Sequence, residues 1–189
     1  MRTLVFVVLI ALLALPAFTY DWVTSPINGH RYTLVDSDTY TEAENQALAL
    51  GGHLVTILSQ EENNWVYNWA LNNTGPDTYR AWIGLYQLPG SVEPVEGWVW
   101  SSGEPVVYTN WQTTTSEPND YYGNSNPENW AQMYIRQHDW DEIPSYWNDT
   151  WTNRPNTQDI GIVEVVPEPT SLLALCGGVA MLGFLKRRR

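Results

Sequence analysis

The sequence predicts an α+β domain, and three observations lead there. Two capping signals, Thr39-Tyr40-Thr41-Glu42 and Ser59-Gln60-Glu61-Glu62, stand close together early in the chain, each followed by apolar residues at helical spacing. After Asn73-Thr74-Gly75-Pro76 that spacing stops, and short β-rich segments follow one another as far as Val165. The chain shows no internal repeat. Helices first and strands afterwards, without alternation, indicate α+β. With 189 residues there is room for one ordinary domain, placed at 20–166.

Taken in order, His30-Arg31-Tyr32-Thr33-Leu34-Val35 reads as a first strand, and Ser37 to Thr41 as a turn. The first helix starts at the Thr39 capping box. Its narrow apolar face is Ala43, Ala47 and Leu50, and Gly51-Gly52 ends it, because glycine takes the left-handed cap without steric cost. His53-Leu54-Val55-Thr56-Ile57 is a short extended piece. The second helix runs from Ser59 to about Asn72 and buries Trp65, Val66, Trp69 and Ala70. Strands are expected at Ala81-Trp82-Ile83-Gly84-Leu85, Gly97-Trp98-Val99-Trp100, Trp130-Ala131-Gln132-Met133-Tyr134-Ile135 and Ile160-Gly161-Ile162-Val163-Glu164-Val165, with Trp147-Asn148-Asp149 beside a strand.

The two ends read differently from the domain. Residues 1–19 carry Arg2, the apolar run Leu4–Leu15 and small residues near Ala17, the pattern of a secretory signal peptide. Leu172–Leu185 is a second apolar run, closed by Lys186-Arg187-Arg188-Arg189. It is shorter than the roughly 20 residues that span a bilayer comfortably, and its basic end belongs on the cytoplasmic side. Between 20 and 166 there are four arginines, no lysine and 20 acids, a net charge of −16. Such a domain repels nucleic acid and anionic lipid and attracts cations. All 11 tryptophans lie in the same segment, which excludes disorder. The single cysteine, Cys176, is in the tail, so the exported domain makes no disulfide. His53 reads as structural and His138 as a surface-loop residue. No Ser/His/Asp or Cys/His arrangement and no Gly-Xaa-Ser-Xaa-Gly turn is present, so the domain is expected not to be an enzyme.

The chemistry concentrates between Trp111 and Asp149. Glu117-Pro118-Asn119-Asp120, Glu128 and Trp147-Asn148-Asp149 are clusters of hard oxygen donors in a segment rich in Asn, Asp, Thr, Ser, Pro and Gly, which reads as long loop. Ca2+ takes roughly 6–8 such oxygens at about 2.3–2.6 Å, whereas the His and Cys that zinc and copper favour are absent from both clusters. Pro118 permits a cis bond at Glu117-Pro118 that turns both flanking side chains to one side. A turn bearing solvated acids is the other reading of the same residues.

With these pieces together, the chain from about His30 to Val166 resembles the C-type lectin-like domain. The resemblance is carried by Ala43 through Gly51-Gly52-His53-Leu54, Trp82-Ile83-Gly84-Leu85, Gly97-Trp98-Val99-Trp100, Asn110-Trp111, Glu117-Pro118-Asn119, Glu128 and Trp147-Asn148-Asp149, in the family's order. It implies two helices flanking small antiparallel sheets, a long calcium-binding loop region and a cis bond before Pro118. It also implies that Glu117, Asn119, Glu128, Asn148 and Asp149 bind Ca2+, and that Glu117, Asn119, Glu128 and Asn148 hydrogen-bond a sugar whose vicinal hydroxyls complete the metal's shell. The Glu-Pro-Asn order resembles that of mannose-, glucose- and fucose-type binders. A possible auxiliary metal site is half present: Glu96 and Asp120 match, while Asn129 and Gln87 stand where acids would be. Family cysteines are missing, with Ala47, Trp130 and Val163 at three of their positions and the fourth near Thr152. The segment between Asn119 and Glu128 is about three residues longer than in typical animal members.

The tail, 167–189, also resembles a family: Val166-Pro167-Glu168-Pro169, an apolar run and a basic end are similar to the PEP-CTERM sorting signal of Gram-negative bacteria. That resemblance implies transient anchoring in the inner membrane, cleavage by a sorting protease-transpeptidase, and release to the cell surface or extracellular matrix; a plain C-terminal membrane anchor is the other reading of the same residues. The expected function is calcium-dependent binding of a glycan or exopolysaccharide. The alternative is a lectin-like matrix domain that binds protein or itself without sugar.

Overall fold

The computed structural model describes residues 20–121, 123, 127–151 and 159–167. The expectations for 1–19 and for the tail beyond Pro167 lie outside the described residues. Among the described residues, no helix is long and apolar enough to cross a membrane.

The fold is α+β, as the sequence predicts. The elements are β1 (Val23–Thr24), β2 (Arg31–Asp36), α1 (Tyr40–Ala49), β3 (His53–Leu54), α2 (Gln60–Asn73), β4 (Arg80–Gln87), β5 (Trp98–Trp100), β6 (Trp130–Tyr134), β7 (Trp147–Thr150) and β8 (Ile160–Val165). They form one mixed sheet in the order β1-β2-β8-β4-β6-β7, with β3 added to β8 and β5 to β4. The pairing of β4 with β8 is parallel, and the other pairings are antiparallel. β2 and β8 pair from Arg31↔Val165 to Asp36↔Ile160, so the first and last long strands close the domain on each other.

Both helices start where the capping signals place them. Thr39 and Ser59 accept from the N–H of Glu42 and Glu62 at 3.2 and 3.1 Å. At the end of α1, Gly51 has φ +82°, its N–H donates to Leu48 O and that of Gly52 to Ala47 O, each at 3.0 Å. This is a full Schellman cap. Gly52 also lies against β8: a Cβ there would come within 2.1 Å of Glu164 O. In α2, Val66 and Ala70 are fully buried. Trp65 and Trp69 are half-buried, stacked 5.9 Å apart at 5°, and tilted against Tyr32.

The helical spacing does not reveal that Glu62 and Asn63 are buried too. Glu62 accepts from Leu58 N–H and Asn28 Nδ2, both at 2.8 Å, and from Tyr32 Oη at 3.2 Å. Asn63 Oδ1 accepts from Trp147 Nε1 at 2.8 Å, which ties α2 to β7. Trp147, Asn148 and Asp149 form the strand β7 itself, whereas the sequence suggested that they lie beside one.

The core is two apolar clusters. One gathers Ile57, Val66, Ile83, Leu85, Met133 and Trp147 between α2 and the sheet. The other holds Val35, Ala43, Ala47, Leu54, Trp82 and Val163 under α1. Ala47 and Val163, at two of the positions where the resemblance puts cysteines, are both fully buried in that second cluster, so apolar packing joins α1 to β8 without a crosslink. Trp130 packs on its edge near Tyr40.

Candidate functional site

The site is built outward from Trp147. Its indole is fully buried and meets the rings of Trp100, Tyr108 and Trp111 edge-on, at centroid distances of 5.7, 5.7 and 5.9 Å. The backbone beside it is clamped: Trp147 N–H donates to Asn110 O, and Gln112 N–H donates to Trp147 O, each at 2.9 Å. The start of the long loop is therefore fastened along the first residue of β7. Pairing of β7 with β6, Asn148 opposite Gln132 and Asp149 opposite Ala131, then sets the direction of the next two side chains.

Asp149 organises the loop above it. It is 1% exposed, and its carboxylate accepts from Asn119 N–H at 2.9 and 3.0 Å and from Asp120 N–H at 2.8 Å. Charge-assisted bonds of this kind are roughly twice as strong as neutral ones, and these hold the Glu117–Asp120 turn against the sheet. The Glu117-Pro118 bond is cis, and Ser116 and Asp120 sit at positive φ, 65° and 44°. Glu128, 4% exposed, accepts from Tyr121 N–H at 2.6 Å, and its own N–H donates to Asp120 Oδ1 at 3.1 Å. Asn148 Nδ2 donates to Asp149 O.

Glu117, Asn119, Glu128 and Asn148 line one groove of about 310 Å³, and Asp149 holds the backbone of Asn119 and Asp120 beside it. Two oxygens in it, Glu117 Oε2 and Asn119 Oδ1, are buried without a hydrogen-bond partner. Buried acceptors of that kind are costly, about 1–3 kcal/mol each. Burial pushes the Glu117 carboxyl up to about 9, and its hydrogen bond to Asp149 and the charges of Asp149 and Glu128 push the same way. A hydrogen bond from Thr115 offsets part of this, and the balance favours the protonated form of Glu117 in the metal-free protein. Three acids and two amides, two of whose oxygens are unpartnered, fit a hard cation better than they fit a turn of solvated acids. Among the described residues, no three His, Cys, Asp or Glu groups are gathered to hold a metal by themselves.

The expected auxiliary pair is Glu96 and Asp120. Asp120 lies in the loop as above, but Glu96 contributes its backbone carbonyl, which accepts from Gln87 Nε2 at 2.8 Å. The acid brought toward Asp120 is Glu93. Burial pushes its carboxyl up, a hydrogen bond with Gln87 offsets part of that, and the charges of Asp120 and Asp149 push it further. Sequence reasoning missed Glu93, although Glu93-Pro94 repeats the Glu117-Pro118 dipeptide and its peptide bond is also cis. Gln87 Oε1 is buried there without a partner. His53 and His138 behave as the sequence suggests: His53 Nδ1 is 2.8 Å from Leu54 O, and the His138 side chain is 51% exposed.

The family model of the lectin C-type domain matches residues 36–156. The chain belongs to the C-type lectin domain family. This is a family of binding domains, and the lectin-type domain here has curated animal relatives. One is the 30 kDa spicule matrix protein alpha of Strongylocentrotus purpuratus, 43% identical over 63 residues, which are 33% of this chain and 20% of that protein. Another is a perlucin-like protein of Mytilus galloprovincialis, 29% identical over 119 residues, 62% of this chain and 65% of that one. The chain therefore spans only a small part of the spicule matrix relative.

Among solved structures, the cow CD23 carbohydrate-recognition domain, determined in the presence of a GlcNAc2Man3 oligosaccharide, superposes with a TM-score of 0.56. It is 23% identical and covers 78% of this chain and 95% of that one. A calcium-independent type II antifreeze protein superposes with a TM-score of 0.52 at 21% identity, covering 79% and 97%. These likenesses establish the fold. Since the fold occurs with and without calcium, the cation must be argued from the residues of this lectin-type domain.

Proposed function

We propose that this C-type lectin domain binds carbohydrate through Ca2+ held by Glu117, Asn119, Glu128, Asn148 and Asp149. The observation that carries this reading is the pair of buried, unpartnered acceptors, Glu117 Oε2 and Asn119 Oδ1, in a groove where Glu117 is crowded by two other acids. A cation satisfies both acceptors and relieves the repulsion. Bound there, it supplies open coordination positions for two vicinal hydroxyls. The chain's own groups then read those hydroxyls: carboxylates accept from them and amide NH2 groups donate to them. Glu117 and Asn148, or Glu128 and Asn119, can form such donor–acceptor pairs, in the mannose-, glucose- or fucose-type arrangement. The test is a glycan array probed with and without a chelator. Mannose-, glucose- or fucose-terminated glycans should be retained with calcium and lost on chelation. Retention that ignores the chelator would sink the calcium reading, and no retention at all would favour the second reading.

That second reading is a matrix domain that binds protein or itself. It is supported by the 43% identity to a spicule matrix protein and by the strongly acidic, lysine-free segment 20–166. Calcium should then change self-association without any sugar response, read by sedimentation.

A pH dependence arises from Glu117. Its carboxyl rises from 4.5 to about 9 in the metal-free fold, so the folded state holds a proton that the unfolded chain has released. This contribution to stability is therefore full below about pH 4.5 and is lost as the pH rises toward 9. Calcium must displace that proton, so its affinity should rise with pH by up to about tenfold per unit across the neutral range. Calorimetry in buffers of different ionisation enthalpy should find close to one proton released per Ca2+. Binding with no proton release would show that Glu117 is already ionised in the metal-free fold and remove this pH dependence.

For the chain ends, the reading rests on sequence alone. We propose that 1–19 are removed on export and that a sorting protease-transpeptidase of a Gram-negative-type bacterium cuts near Pro167–Pro169, after transient membrane anchoring. Mass spectrometry of the exported protein should find neither apolar segment. Arg189 on the mature chain would refute the cut.

A further inference from the structure

The groove that holds the candidate ligands does not end with them. It continues past Asn148 onto Tyr134, Arg80, Asp139, Asp141 and Glu142. The last three belong to a turn that the resemblance did not single out. That turn is held by buried polar groups. Arg80, 7% exposed, pairs with Glu142 and reaches Asp139 at 3.4 Å. Glu142 Oε2 accepts from the N–H groups of His138 and Asp139 at 2.8 and 3.2 Å. Gln112, 1% exposed, donates to Asp141 O at 2.6 Å and accepts from Ile143 N–H at 2.7 Å.

At the tip of this pinned turn, between the two acids that line the groove, Trp140 is 90% exposed. Ten other tryptophans share the domain, and this one is left in water. An indole left in solvent on a turn that is itself held by buried polar groups offers a large flat apolar face beside the groove for contact.

We propose that Trp140, Asp139 and Asp141 form a second subsite that takes the next sugar unit of a neutral glycan chain whose first unit is held at Glu117, Asn119 and Asn148. This rests on the carbohydrate reading of the first unit. A sugar ring presents what the subsite can recognise: a C–H face for the indole and hydroxyl donors for acceptor-only carboxylates. The groove, about 310 Å³, lies at the lower end of ligand pockets, which suits a short stretch of chain rather than a bulky partner. The acids of the lining, in a domain of net charge −16, disfavour uronic or sulfated units.

The test uses the full chain at saturating calcium, with mannose against linear mannotriose and glucose against maltotriose. In the wild type, at least one trisaccharide should bind tenfold or more tighter than its monosaccharide. Trp140→Ala, a change at an exposed position, should erase that gain and leave monosaccharide affinity within twofold. Asp141→Asn should reduce the gain partly, with melting temperature confirming the fold of both variants. Equal affinity for mono- and trisaccharides in the wild type, or a gain untouched by Trp140→Ala, overturns the subsite while leaving the first site standing. A wild type that binds none of the four sugars and no glycan on the array overturns both.

Discussion

Asp149→Ala should abolish calcium binding and sugar binding together and lower the stability of the metal-free protein. The carboxylate is 1% exposed and does two jobs. It accepts the N–H groups of Asn119 and Asp120, so it holds the turn that carries two of the other candidate ligands, and it is itself a ligand in the proposed site. Hydrogen bonds to a charged group contribute roughly 1.5–3 kcal/mol each, so about 3 kcal/mol or more of stability should go with it. Calcium at a hundred times its Kd should stabilise the wild type by about 2.7 kcal/mol, and the variant by nothing. Asp149→Asn separates the two jobs, since it keeps the volume and one acceptor but removes the charge. It should hold the turn better than the alanine and still bind calcium poorly. Thermal melting with and without millimolar calcium reads all three proteins. An alanine variant whose melting temperature still climbs with calcium would place the metal elsewhere.

Exchanging the two loop ligands, Glu117→Gln with Asn119→Asp, should leave calcium bound and reverse what the sugar sees. Volume and the single formal charge of the pair are kept. The acceptor-only group and the amide donor change places around the metal, so each hydroxyl meets the wrong partner. Affinity for mannose-, glucose- or fucose-type ligands should fall at least tenfold, about 1.4 kcal/mol, and binding of galactose-type ligands should rise. One cost is visible in advance. Asn119 Nδ2 donates to Thr115 O at 3.3 Å, and an aspartate there would face that carbonyl without a proton. The comparison is therefore made at saturating calcium, with melting temperatures alongside. Unchanged sugar preference in a folded, calcium-loaded variant would remove these residues from hydroxyl recognition and bring the matrix reading forward.

Much of this was legible in the linear chain because it is local chemistry. Thr39 and Ser59 cap helices by bonds to residues three positions on, Gly51 takes the left-handed cap within its own turn, and Ile160–Val165 is a strand by its β-branched composition. The donor types of Glu117, Asn119, Glu128, Asn148 and Asp149 can likewise be read without coordinates, since oxygen hardness belongs to the side chain. Other features needed the fold, because they are made by groups distant in sequence. Glu62 and Asn63 sit on a helix whose spacing marks them as solvated, and only Tyr32, Asn28 and Trp147, brought in from other elements, explain their burial. Glu93 lies within electrostatic reach of Asp120, a pairing that spacing along the chain does not show. The loading of Glu117 with a proton depends on burial and on Asp149, 32 residues away.

By itself, then, the sequence determined the α+β class, the helix ends, the acidic cation-attracting character and the identity of the oxygen donors, all of which come from side-chain chemistry and near-neighbour geometry. Only the tertiary structure decided which of those donors share a groove, which are left unpartnered, and where that groove leads. Those are properties of distances across the sheet and the long loop, set when Trp147 fastens the loop to β7, and no spacing along the chain encodes them.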